Sequence, residues 1–284
     1  MRAAVVRRYG PPENVVIEEI PIPEPRAGEV LVRVEATAIT AGDARIRAAR
    51  FPKGFAPGAE VVGMAGARFG AHAEYVVVPA TSLATKPAGV SHASAAAILF
   101  GGTTALYFLR DRAQVGPGDT VLVNGASGAV GSSAVQLAKH LGAEVTAVTS
   151  EPNTALVTRL GADHVIDYRQ TPVSALSGPY DVVLDAVGNV SRQQGLSMLS
   201  PRGSFIMIVG SLVDTVRARG RVVAGVAPER PEDYEFLLQL AAQGEVDPVL
   251  DEVGGLETIQ EAYRRIDSGH KVGNLVLAPG SVRP

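Results

Sequence analysis

The run Val121-Leu122-Val123-Asn124-Gly125-Ala126-Ser127-Gly128-Ala129-Val130-Gly131 leads from an apolar stretch into a helical one through a turn rich in glycine. Backbone N–H groups at the start of such a helix have no carbonyl behind them and attract an anion. In the dinucleotide fingerprint G-x-G-x-x-G, the first glycine allows a tight turn. The second lets the backbone approach a pyrophosphate, and the third lets helix and strand pack closely. Gly128 and Gly131 fill the second and third places, while Ala126 stands at the first with Gly125 just before it. Alone, this loop is equally a structural turn between a strand and a helix. The strand before it, the helix after it and the βα alternation that follows favour binding of a nicotinamide dinucleotide.

The end of the next strand selects the form of the cofactor. NAD sites place Asp or Glu there, where the carboxylate bonds the ribose hydroxyls. Here the strand ends Ala147-Val148-Thr149-Ser150, so no acid would repel a 2′-phosphate and Ser150 can donate to it. NADP(H) is therefore the expected cofactor. Glu151 follows at once and no Arg or Lys lies in the turn, which pulls towards NAD.

Alternating elements must position these residues. Apolar strands are expected at Thr120 to Asn124, Glu144 to Thr149, His164 to Asp167, Asp181 to Ala186 and Ser204 to Val209. Helices are expected at Gly128 to Leu141, Thr154 to Leu160, Ser191 to Leu199 and Pro231 to Gln243, the last ended by Gly244. Continuous apolar strands alternating with helices imply a parallel sheet covered on both faces. Before this region, Ser91 to Ala97 and Thr103 to Asp111 read as two helices, with Ser91 as N-cap. The first stretch is β-rich: Ala3 to Arg7, Val15 to Glu19, Glu29 to Ala38, Glu60 to Met64 and His72 to Val78, broken by Pro and Gly. It reads as a small barrel or sandwich ending near Pro87. A helix at Leu256 to Ile266 and a strand at Asn274 to Leu277 could return to it.

Composition excludes several functions. The 284 residues are 46% hydrophobic and 19% charged, as in a well-cored globular protein. A net charge of −3 offers no electrostatic footprint for nucleic acid or an acidic membrane. Apolar runs such as Ala93 to Phe100 are too short to span a bilayer. The N-terminus lacks the pattern of a signal peptide, so a cytoplasmic location is the default. With no cysteine there is no disulfide, thiol nucleophile or thiolate zinc site, and no two of the five histidines sit four residues apart. No metal site is expected.

The chain resembles the zinc-free medium-chain dehydrogenase/reductase family, in its quinone oxidoreductase and enoyl-reductase branch. The matches run nearly end to end. They include Tyr9-Gly10-Pro11-Pro12, Gly28 to Val32, Ala73-Glu74-Tyr75, Gly102 to Ala105, Asn124 to Gly131 and Gln136 to Lys139. Further on they include Leu160 to Asp163, Val165 to Tyr168, Asp185 to Gly188, Ala227 to Arg230 and Gly269 to Asn274. The resemblance implies a GroES-like β-barrel substrate domain, residues 1–95 with 250–284 returning to it, and a Rossmann domain over 96–249. It also implies a cleft, a homodimer, and hydride transfer from NADPH to a quinone or an electron-poor C=C bond of a small-molecule substrate. The family's cofactor-contacting positions fall on Thr104, Gly128, Ala129, Val130, Ser150, Tyr168, Val187 and Asn274.

The sequence departs from the family at the substrate side. The chain is short after Gly63 and before Pro57, so the barrel is truncated. Ala59 replaces the histidine ligand of the zinc enzymes. In Ala38 to Arg45, Thr40 stands where many quinone reductases carry Asn and Arg45 where they carry Tyr, with Asp43 kept. Thr40 could donate a hydrogen bond and Arg45 could stabilise charge on an oxyanion, so both are candidate catalytic residues. Equally, Thr40 packs, Asp43 caps a helix and Arg45 is solvated. His72 is a candidate proton donor or a packed ring. The expected function is an NADPH-dependent reductase of quinones or α,β-unsaturated carbonyls. The alternatives are a dinucleotide-binding protein without redox turnover, or a non-redox cyclase or lyase reusing the cleft.

Overall fold

The structure, a computed structural model, describes residues 1–6, 12–39, 58–66, 70–210, 216 and 218–280. Short Val-rich runs broken by Pro and Gly produce short strands at the beginning of the chain. They are β1 (Arg2–Val6), β2 (Val15–Glu19), β3 (Glu29–Arg33), β4 (Thr37–Ile39), β5 (Val61–Gly63), β6 (Tyr75–Pro79) and β7 (Leu83–Thr85). β1 pairs with β2, β3 with β6 and β5 with β7, all antiparallel. The single strand expected over Glu29 to Ala38 is two strands in different sheets. β3 ends at Arg33, and β4 turns away to pair with the tail.

Helix α1 (His92–Leu106) follows, and Tyr107–Arg112 continues it as a π-helical turn. Ser91 Oγ accepts the Ser94 amide at 3.0 Å, the expected N-cap. Two helices were expected here, and one continuous helix is found. Its Gly101-Gly102 pair does not break it, because a side chain at Gly101 would lie 2.3 Å from the Ala129 carbonyl oxygen of the next helix. The bare backbone there is a packing requirement. The continuous helix His92–Arg112 is long and apolar enough to cross a membrane by length and composition, and most of it is buried inside the protein.

The sequence then alternates: β8 (Thr120–Asn124), α2 (Ala129–His140), β9 (Glu144–Thr149), α3 (Thr154–Arg159), β10 (His164–Asp167), β11 (Tyr180–Asp185), α4 (Arg192–Ser197), β12 (Leu199–Met207) and β13 (Val222–Ala224). The strands form one parallel sheet in the order β10-β9-β8-β11-β12-β13. In order of appearance this is 3-2-1-4-5-6, the doubly wound Rossmann arrangement. Val121, Leu122, Val123, Val145, Val148, Val183 and Leu184 have no exposed surface, which explains strands without polar alternation. One core cluster gathers Leu122, Val148, Val183, Met198 and Phe205, and the Phe205 ring occupies the space that a side chain at Gly195 would fill.

The tail contributes α5 (Pro231–Gln243), β14 (Leu250–Gly254), α6 (Ile259–Asp267) and β15 (Asn274–Leu277). β15 pairs with β14 in parallel and with β4 in antiparallel register, and its leucines pack with Val15, Ile259 and Ala262. The chain divides into two compact units. One comprises Met1–Leu99, Glu229–Gly244 and Pro248–Pro284; the other comprises Phe100–Pro228 and Glu245–Asp247. Helix α5, which sequence alternation assigned to the central segment, groups with the first unit. Residues 245–247 return to the second, where the Gln136 side chain brackets the Asp247 backbone, donating to its carbonyl at 2.9 Å and accepting its amide at 2.7 Å.

Phe205 tests the core of the second unit. Phe205→Ala removes a fully buried ring and should lower the unfolding free energy by about 3–5 kcal/mol in urea titration.

Candidate functional site

The glycine-rich turn is built as its chemistry requires, with one displacement. The tight turn is made by Gly125, which has φ of +82°, while Ala126 in the fingerprint's first place is fully buried. The amides of Gly125 and Ala126 both donate to the Val148 carbonyl at 3.1 Å, tying the turn to β9. A side chain at Gly131 would lie 2.0 Å from the Gly125 oxygen, so helix α2 can reach the turn only with glycine there. Gly128 differs: a Cβ there would meet only the Gly125 oxygen, at 3.5 Å, so its approach side is open. Gly128 is also the N-cap of α2 and gives no side-chain cap. The first amides of the helix, at Ala129, Val130 and Gly131, are thus left for an anion. An open second position and a closed third one fit a dinucleotide pyrophosphate.

Across the turn, the point where strand order reverses is locked by a carboxylate. Asp185, at the end of β11, has no exposed surface. Its Oδ1 accepts the amides of Val187 and Gly188 at 3.0 Å and the Asn124 side-chain amide at 2.8 Å. Its Oδ2 accepts the Val190 amide at 3.1 Å. Asn124 also donates to Asn189 Oδ1 at 2.7 Å, so the ends of β8 and β11 and the loop after β11 are one network. Val187 emerges from this network 48% exposed, its Cγ2 beside Gly125. Sequence reasoning singled out Val187 but not Asp185, Asn124 or Asn189 as its support.

The ends of β9 and β10 supply the rest. Ser150 is buried and accepts a hydrogen bond from Asn153 at 3.2 Å. Tyr168, 38% exposed, donates its amide to the Thr149 carbonyl at 3.1 Å, so it stands at the end of β9 as well as β10. Arg169 follows, its guanidinium carbon 6.0 Å from the Tyr168 ring centroid. The glycine-rich turn itself carries no Arg or Lys. Arg169 follows the end of the neighbouring strand β10. Thr104 spends its hydroxyl proton on the Phe100 carbonyl at 2.7 Å inside α1, leaving it as an acceptor.

Residues 160–277 match a family model described as Zinc-binding dehydrogenase. A chloroplastic quinone oxidoreductase of Triphysaria versicolor is 29% identical, over 92% of this chain and 93% of that protein. A chloroplastic NADPH-dependent alkenal/one oxidoreductase of Arabidopsis thaliana is 28% identical, over 98% of this chain and 80% of that protein. The structure of the quinone oxidoreductase from Coxiella burnetii matches the fold with a TM-score of 0.89, covering 100% of this chain and 99% of that one at 24% identity. The chain belongs to the medium-chain dehydrogenase/reductase family. It is an oxidoreductase of that family, whose members use a nicotinamide cofactor.

Within the first unit the expected family residues have varied fates. Thr40, Asp43 and Arg45 lie outside the described residues. Asn274 is buried at the start of β15, where its amide donates to the Pro248 carbonyl at 2.6 Å. That bond holds the tail and leaves the side-chain oxygen as its remaining polar group. His72 Nε2 lies 3.1 Å from the Ala38 carbonyl and its ring meets Tyr263 edge-on at 6.2 Å, the geometry of a packed ring. Glu60, beside Ala59, pairs with Lys86 at 3.0 Å and His92 at 3.3 Å. The Lys86 hydrogen bond holds its carboxyl below the usual carboxylate value. Among the described residues no group of His, Asp and Glu is arranged to hold a metal ion.

Asp185→Asn replaces one carboxylate oxygen with a donor among donors. It should cost about 1–3 kcal/mol in chemical denaturation. Amide exchange should speed up at Val187 to Val190, ahead of exchange in the sheet.

Proposed function

We propose that this protein is an NADPH-dependent reductase of quinones and α,β-unsaturated carbonyl compounds. The observation that carries the choice of NADPH is the end of β9. There a buried Ser150 stands in place of a carboxylate, Tyr168 is tied to the same strand end through the Thr149 carbonyl, and Arg169 follows it in the chain. A carboxylate at this place serves the ribose hydroxyls of NAD, and hydroxyl donors with a cation serve a phosphate. The substrate class is supported by relatives of nearly full length whose names state quinone and alkenal/one reduction.

When bound, the cofactor supplies the hydride, which is the difficult part of the chemistry. The chain's own residues bind and orient. The α2 amides and the open side of Gly128 receive the pyrophosphate, and the Asp185 network fixes Val187 at the switch point. With the reactants held together, proximity accounts for much of the rate.

Purified protein with NADPH and a panel of quinones, enones and alkenals should consume nicotinamide absorbance, and NADH should serve less well. NADPH that binds without oxidation by any of the panel would remove the reductase reading. Ser150→Asp should shift the NADPH/NADH preference in kcat/KM towards NADH by about tenfold or more, the effect of one charge-assisted hydrogen bond changed to repulsion. Arg169→Glu should raise the KM for NADPH and leave that for NADH nearly unchanged. An unaltered ratio in both variants would contradict the proposed phosphate site.

A further inference from the structure

Four polar side chains at the end of β9 share one hydrogen-bond set, and its arithmetic is directional. Asn153 Nδ2 has two protons. One goes to the Ser127 oxygen at 3.2 Å and the other to the Ser150 oxygen at 3.2 Å. Thr149 Oγ1 donates to the same Ser127 oxygen at 3.0 Å. A serine hydroxyl has two lone pairs and one proton. Ser127 therefore has both lone pairs filled and a proton left to give. Ser150 has one lone pair filled and its proton likewise left, with no acceptor for either proton among the described residues.

The two serines come from different elements. Ser127 belongs to the glycine-rich turn, Ser150 to the end of β9, and Asn153 closes the short 3-10 turn Glu151–Asn153 that follows. Only a group with two donors on one nitrogen can feed both oxygens at once. A carboxylate at position 153 would draw the serine protons inward, and an aliphatic side chain would leave the hydroxyls to rotate.

We infer that Asn153 is a specificity-determining residue, which turns Ser127 and Ser150 into a pair of outward hydrogen-bond donors for a phosphate monoester on the adenine ribose of the cofactor. The inference rests on the NADPH reading and assigns that selectivity to two residues it does not use. A phosphate only accepts, so it matches two donors. A free ribose hydroxyl can accept only in part and must give its own proton, for which Ser127 has no lone pair left and Ser150 has one. The array thus favours the phosphorylated ribose, which takes both protons, over the plain one without a net charge of its own. Asn153 is a positioning residue, while Ser127 and Ser150 make the contact.

The test uses binding, apart from turnover. Adenosine 2′,5′-bisphosphate and adenosine 5′-monophosphate are titrated into wild-type, Asn153→Asp, Asn153→Ala and Ser127→Ala proteins by calorimetry, with thermal unfolding of each. Wild type should bind the bisphosphate about tenfold or more tighter than the monophosphate, the scale of a charge-assisted hydrogen bond. Asn153→Asp should erase that ratio, and Asn153→Ala and Ser127→Ala should reduce it severalfold. If the variants weaken both ligands equally, or keep the wild-type ratio, Asn153 is structural and the inference is overturned while the NADPH reading stands. A wild type without preference for the bisphosphate sinks both. Should Asn153→Asp fail to fold, the Ser127→Ala ratio decides alone.

Discussion

A carboxylate withdrawn completely from water is costly unless donors replace its hydration. Asp185 is such a group, and the four hydrogen bonds it accepts come from the Asn124 side chain and from three amides of the following loop. Those partners belong to the two strands between which the sheet order reverses, where a crevice opens at the strand ends. The same bonds therefore join the ends of β8 and β11 to the loop that follows β11. Removing the acceptor would strand three loop amides, so the loop carrying Val187 has its conformation because the carboxylate needs it there.

Close contact at this junction explains the division of labour along the turn. Gly125 makes the positive-φ turn and touches Val187, and Gly131 lets α2 pack onto the turn backbone. Gly101 lets α1 pack onto α2 in the same way. Gly128 alone opens outward. The sheet, two helices and the Asp185 loop thus press on one side of the turn and leave the other side bare. Interior packing tolerates few voids, so an open backbone with uncapped amides stands out against its surroundings.

The parts most legible in the sequence were those governed by local pattern. Strands β9, β10 and β15 and helix α5 with its Gly244 end follow from periodicity and punctuation, and the structure places them where those signals do. The helix break expected near Gly101 was misread because glycine there answers to a neighbouring helix, which a propensity argument does not see. Strands β7, β13 and β14 take their identity from pairing partners in other elements, which local pattern does not show. The same limit applied at the site. Ser150 and Tyr168 were visible as strand-end residues. Asp185, Arg169 and Asn153 acquire their roles from sheet order and from hydrogen bonds between separate elements, for which the only sequence signal was position just before or after a strand end.

The electrostatics of the β9 end follow from where its groups sit. Arg169 and Glu151 are both exposed, so each acts through water and salt, and at physiological ionic strength screening sets in over about 8 Å. Ser150 is buried and Ser127 and Asn153 are half-buried, and their dipoles are already oriented by one another. Oriented dipoles in a drier setting need no reorganisation when an anion arrives, and hydrogen bonds there are stronger than in water. Under the proposed reading, these hydroxyls act on a phosphorylated ribose together with the exposed Arg169. Under that reading, Glu151 after the strand and the lack of a basic residue in the turn are compatible with a phosphorylated ribose.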